Sequence, residues 1–183
     1  MEYIKTMRKL VGHSPIMICA CGCLIFNERG QVLLQRRSDD NLWGNPGGSM
    51  DLGETIYETT IREIKEETNL EIKETDLKLF NIYSGENQHH IYPNQDEVYI
   101  VNIVFETSTY SGEIKGDSES YELKFFDIDK LPSNVTKTFK SVSRDLKVRK
   151  QNDRYKLLMK LKTTNHDCFL YFNSTELLSI DIP

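Results

Sequence analysis

The chain is poor in the features that mark secreted, membrane-spanning and polyanion-binding proteins. Four cysteines in 183 residues are too few for a disulfide-built scaffold. No apolar run approaches the roughly 20 residues that cross a bilayer, and Met1 to Leu10 has no apolar core of the signal-peptide kind. The expected location is therefore the cytoplasm, with no membrane partner. The net charge is −5, so no basic excess points to nucleic acid or to an anionic membrane surface. Internal repeats and low-complexity tracts are absent as well. What remains is 38% hydrophobic and 28% charged residues, the composition of a soluble globular protein. If such an acidic protein handles phosphates it needs local positive charge, and a bound metal is one source.

Cys19, Cys21 and Cys23 recur at every second residue, so in a strand they share one face. Their spacing of about 6.5–7 Å excludes disulfides between neighbours. Small core residues beneath a helix are the reading favoured over a thiol metal site; Cys168 stands apart. Residues 1–11 read as a short helix or arm. Ile16 to Phe26 reads as a buried strand, and Asn27-Glu28-Arg29-Gly30 as a hairpin turn into a second strand, Gln31 to Gln35. Strands are also predicted over Leu77 to Tyr83, Val98 to Glu106 and Tyr121 to Phe126, with a long polar loop over Ser84 to Glu97. Residues 133–183 are expected to form a partly helical C-terminal extension.

Thr55 to Thr68 is the clearest helix. With about 100° per residue and Glu63 at zero, Glu66 falls near about −60° and Glu67 near about +40°. Three carboxylates thus share one arc, while Tyr57, Ile61 and Ile64 form a separate apolar stripe. Crowding like charges costs a few tenths of a kcal/mol per pair, whereas magnesium seeks carboxylate and carbonyl oxygens. Directly upstream lie Asn45-Pro46-Gly47-Gly48-Ser49 and Met50-Asp51-Leu52-Gly53-Glu54. Paired glycines, Gly48 above all, let backbone approach a ligand closely, and a helix N-terminus favours anions. A diphosphate site is the expectation.

Gly48, Glu54 and the run Arg62-Glu63-Ile64-Lys65-Glu66-Glu67-Thr68-Asn69-Leu70 resemble the signature box of the Nudix hydrolases, with Asn69 in place of the usual glycine. Asparagine tolerates the left-handed conformation expected just past a helix end. The resemblance covers about residues 12–132 and implies an α/β fold, a mixed β-sheet sandwiched between α-helices. It implies Mg or Mn held by Glu63, Glu66 and Glu67 with help from the Gly47 carbonyl. Arg62 would orient the acids and Glu54 brace the loop. Water would attack a small-molecule nucleotide, a nucleoside diphosphate linked to X, with the metal activating the water and neutralising the leaving phosphate. Nucleoside triphosphates and ADP-ribose both stay open, and a homodimer is compatible with the resemblance.

The general base is a box glutamate such as Glu66 or a later acid. Glu119 is the first choice, with Asp96, Glu97 and Glu122 as rivals. Arg37, and after it Arg36, are candidates for binding phosphate. His89 and His90 are either solvated or in reach of substrate, and Trp43 reads as a core anchor rather than a base-stacking residue. The alternative function is a non-catalytic nucleotide-sensing or regulatory module on the same fold.

Overall fold

The computed structural model describes residues 2–92 and 94–164. Cys168 and the apolar runs of 167–182 lie outside the described residues. The chain divides into two compact units, 1–147 and 148–183. The described part of the second continues the last helix to Thr164.

Helix α1 (Glu2–Val11) stops at Gly12, whose φ of +62° suits a glycine at a helix end. Two sheets follow. The larger is mixed and runs β4 (Gly47–Ser49), β1 (Ile16–Ile25), β7 (Glu97–Thr107), β5 (Lys78–Tyr83), with β6 (His89–Ile91) also paired to β7. β1 and β7 are parallel from Ile16↔Val98 to Ile25↔Thr107; the other pairings are antiparallel. The smaller sheet is antiparallel, in the order β3 (Trp43–Gly44), β2 (Val32–Arg37), β8 (Ser120–Phe126).

The turn expected after Phe26 is present: Asn27 N–H donates to the Gln31 carbonyl at 3.0 Å. The simple hairpin is not. After a single bridge, Phe26↔Val32, β1 pairs with β7 and β2 with β8. Both strands are apolar on both faces, and from Cys21 onward every β1 residue is buried. Such strands belong inside sheets rather than in a two-stranded ribbon with a wet face. The loop expected over Ser84 to Glu97 also contains more order. β6 folds back on β7 through a turn in which Tyr92 N–H reaches the Asp96 carbonyl and Gln95 takes φ +70°.

Strand alternation sorts side chains into two cores. One lies under α2 (Ile56–Thr68) and holds Cys21, Cys23, Leu33, Ile64 and Phe105, with Cys19, Tyr57 and Ile61 packed at its border. The three cysteines of β1 thus face the helix as apolar residues, and burial pushes the Cys21 thiol up to about 12. α2 opens on Thr55, whose side chain accepts from Glu58 N–H while the Glu58 carboxylate accepts from Thr55 N–H. It closes on Asn69 at φ +61°, the left-handed position expected there.

The second core lies on the opposite faces: Leu24, Leu34, Trp43 and Val104 meet Phe139, Val142 and Leu146 of α3 (Lys137–Thr164). Trp43 meets Phe126 edge-to-face at 4.8 Å. The first turns of α3 therefore complete this core, although residues from 133 onward read in sequence as an extension. Three apolar residues among many charged ones conceal that role. Phe139→Ala should cost about 3–5 kcal/mol, as for other buried aromatics, measured by denaturant melts; a loss below about 1 kcal/mol would show that the helix is dispensable.

Candidate active site

The site is organised around one guanidinium. Arg62 donates from Nε to Glu54 Oε1 at 2.6 Å and from Nη2 to Glu54 Oε2 at 2.9 Å, a bidentate pair. Nη1 donates to Glu63 at 2.7 Å and to Glu66 at 3.3 Å, and Nη2 also reaches the Ser49 carbonyl at 3.2 Å. Glu54 further accepts from Thr59 Oγ1 and Asp51 N–H. The loop before α2 is thereby clasped to the helix. Arg62 holds the Glu54 carboxyl down at about 2, and Glu54 in turn holds the Arg62 guanidinium firmly charged.

The three helix glutamates differ in depth. Glu66 is 58% exposed at its side chain, whereas Glu63 and Glu67 retain only 8% and 4% of their surface. Burial pushes the Glu67 carboxyl up to about 8, with repulsion from Glu63 adding to it; the Gly47 N–H, Gln35 and Arg37 oppose the shift. Burial also raises Glu63, against the pull of Arg62. Glu67 accepts the Gly47 N–H at 2.7 Å, which ties the glycine strand to the helix. At Gly48 an added Cβ would lie 2.5 Å from the Glu63 carboxylate. At Gly47, φ is +147° and a Cβ would collide with the Cys21 carbonyl and Gly22.

The donor set is entirely carboxylate oxygen, the chemistry of a hard divalent cation. Among the described residues, no three His, Cys, Asp or Glu side chains already close on one point. The Arg62 Nη1 stands between Glu63 and Glu66 and supplies positive charge there. Magnesium typically takes only one or two carboxylates and completes its shell with water and phosphate, so this looser array fits it. Two buried carboxylates with raised proton affinity are sites that a cation would relieve.

Of the later acids, Glu119 lies close enough for its charge to raise Glu63. Its backbone is pinned to the end of β2: its carbonyl accepts the Ser38 N–H, and its own N–H donates to Asp117. The rivals are engaged elsewhere. Asp96 binds His13 at 2.8 Å and Arg8 at 3.6 Å, Glu97 binds His89 at 2.8 Å, and Glu122 pairs with Arg36 at 3.5 Å.

The two arginines of β2 separate as strand alternation requires. Arg37 shares a face with Leu33 and Gln35, forms a bidentate pair with Asp39, and lines a cavity beside Gly47 and Gly48. Arg36 points the other way, near the rings of Trp43 and Tyr121, and does not join the site expected of it. His90 lines the same cavity as Arg37, with Tyr92, Asn102 and Lys137. His89 stacks on Tyr99 instead. Gln35, which donates to Ser120 at 2.7 Å and lies close enough to Glu67 to oppose the rise in its proton affinity, was missed in sequence. An amide two residues past Leu33 on a buried strand was the available signal. Lys137 carried none, since it reaches the cavity only through the packing of α3.

A family model of the NUDIX domain matches residues 19–146, ending at Leu146, a buried side chain of α3. The chain is 34% identical over 112 residues to an ADP-ribose pyrophosphatase of Methanocaldococcus jannaschii, covering 59% of this chain and 61% of that protein. It is 31% identical over 80 residues to an RNA pyrophosphohydrolase of Novosphingobium aromaticivorans, covering 42% and 47%. The matches thus span about three-fifths or less of these relatives' lengths. The crystal structure of a MutT NUDIX hydrolase from Burkholderia pseudomallei superposes with a TM-score of 0.59 at 25% identity, over 71% of this chain and 98% of that one. With the glutamate helix, its arginine clasp and the glycine approach in place, the chain belongs to the Nudix family.

Proposed function

We propose that the chain hydrolyses the diphosphate linkage of a nucleoside diphosphate joined to a second group, of the nucleoside triphosphate or ADP-ribose type, with Mg or Mn. The observation that carries this reading is the Arg62 clasp, which binds Glu54, Glu63 and Glu66 together, with Glu63 lying against Gly48. Glu63, Glu66, Glu67 and Gly47 would hold the metal. When bound, it supplies the positive charge that offsets the phosphates and acidifies the attacking water. Arg62 and Glu54 keep the acids in place, and Glu119 accepts the proton of the water. Arg37 and the backbone at Gly48 receive phosphate. The two relatives named as pyrophosphatase and pyrophosphohydrolase support the reaction class.

The test is product analysis on a panel of nucleotides with Mg and Mn. Glu66→Gln should lower kcat by about 100-fold or more, and Glu119→Gln by about 10²–10⁴-fold, the range for losing a general base. Near-normal turnover of either variant sinks that residue's role. Gly48→Ala, by displacing the Glu63 carboxylate, should weaken metal binding by about 10–100-fold, read by Mn titration; unchanged affinity would show that Glu63 is not a ligand.

In chelator, Glu67 sets a pH dependence. Its folded value of about 8 lies above the ordinary 4.5, so between these limits the folded state holds the extra proton. Its contribution to stability is fully present below about pH 4.5 and is lost as pH rises through about 8. Melting temperature in chelator should therefore fall between pH 6 and 9, and Glu67→Gln should flatten that fall. An equal fall in both proteins refutes the assignment.

A further inference from the structure

Part of the wall of the cavity beside Gly47 is held in place from the N-terminal helix. His90 and Tyr92 line that cavity with Arg37, Gly47 and Gly48, and their rings meet edge-to-face at 4.5 Å. They stand at the turn from β6 into β7. Within it, Tyr92 N–H donates to the Asp96 carbonyl at 2.9 Å and Gln95 N–H to the Tyr92 carbonyl at 2.8 Å. The Asp96 carboxylate accepts from the Asn94 amide at 2.9 Å. These bonds are internal to the turn, and β6 itself pairs with β7 only over His89–Ile91.

Arg8 of α1 supplies the tie from outside. Its side chain is 12% exposed, and its Nε lies 3.6 Å from the Asp96 carboxylate, which His13 also binds at 2.8 Å. Nη2 donates to the Glu97 carbonyl at 2.7 Å, and Nη1 to the carbonyls of Gly12 and Ser14 at 3.1 and 2.7 Å. One planar guanidinium thus joins the end of α1, the linker after it and the far side of the turn. Apolar packing does little of this work, since Leu10 is 77% exposed and Tyr3 and Met17 are exposed as well. A charge so buried is tolerated only while its contacts are made, so the fork favours one placement of the turn. Its charge is also felt in the cavity: burial pushes the Tyr92 phenol up, and Arg37 and then Arg8 oppose that rise. We propose that Arg8 is a positioning residue, which holds Asp96 and the Glu97 carbonyl and so fixes His90 and Tyr92 in the cavity wall, setting nucleotide affinity from outside the site. The proposal rests on the hydrolase reading above, in which the adjoining glycines receive phosphate. It makes a working part of the site out of α1 (Glu2–Val11), which lies outside the residues 19–146 matched by the family model.

Hydrogen exchange and nucleotide titration of the full chain test this. Arg8→Ala should speed exchange of the Tyr92 and Gln95 amides by about 10-fold or more, while the amides of α2 keep their rates. The same variant should weaken calorimetric binding of ATP or ADP-ribose in chelator by about 10-fold. In kinetics it should raise KM to match and leave kcat within about twofold. In a His90→Ala/Tyr92→Ala background, Arg8→Ala should change affinity by less than about twofold, because the groups it positions are gone. A loss caused by a loosened fold would persist there. Unchanged exchange at Tyr92 and Gln95, an equal rise in α2, no nucleotide binding by the wild type, unchanged affinity in Arg8→Ala, or the same loss in the double-variant background overturns the proposal. An Arg8-dependent affinity in a wild type without metal-dependent turnover would overturn the hydrolase reading alone.

Discussion

The fork of Arg62 is the contact on which the rest of the site depends. Three acids on one helical turn repel one another, and two of them are buried. A guanidinium with five donors in a fixed plane can serve several carboxylates at once, which a lysine ammonium does less well. Here it binds Glu54 bidentately and spans Glu63 and Glu66. It also reaches the Ser49 carbonyl, so the Gly47–Ser49 strand, the loop and the helix become one assembly.

Burial then makes that assembly responsive. Glu67, nearly sealed from solvent, accepts the Gly47 amide and holds its proton up to about pH 8. The close approach of strand and helix is what seals it. That approach requires glycine twice: at Gly47 for its backbone angle, and at Gly48 because a methyl group would occupy the place of the Glu63 carboxylate. The residues that shape the backbone and those that carry charge are thus adjacent in space and mutually required.

Much of this was legible beforehand. Helical spacing alone put Glu63, Glu66 and Glu67 on one arc and Ile64 on the packing side, where it is fully buried. Asn69 adopts the left-handed angle that its place past the helix end implied. Glu54 and Arg62 sit eight residues apart with the loop between them, close enough in sequence for local folding to join them. Arg36 and Arg37 stay alternatives in the sequence because adjacent strand residues face opposite sides, and only the packed sheet decides that Arg37 lies beside Gly47 and Gly48. The first turns of α3 were misread because three apolar residues in a basic segment count for little until Leu24, Leu34 and Trp43 are there to receive them.

By itself the sequence determined the helix, its charged arc, its caps and the glycines ahead of it, because each depends on residues within about two turns of one another. The tertiary structure decided what long-range pairing alone can bring together. It placed Glu119 near Glu63, Gln35 and Arg37 beside Glu67, and Asn102 in a cavity shared with Gly47 and Lys137. The helix marks where a diphosphate would be cleaved. The sheets, by choosing which faces meet, shape the cavity next to it.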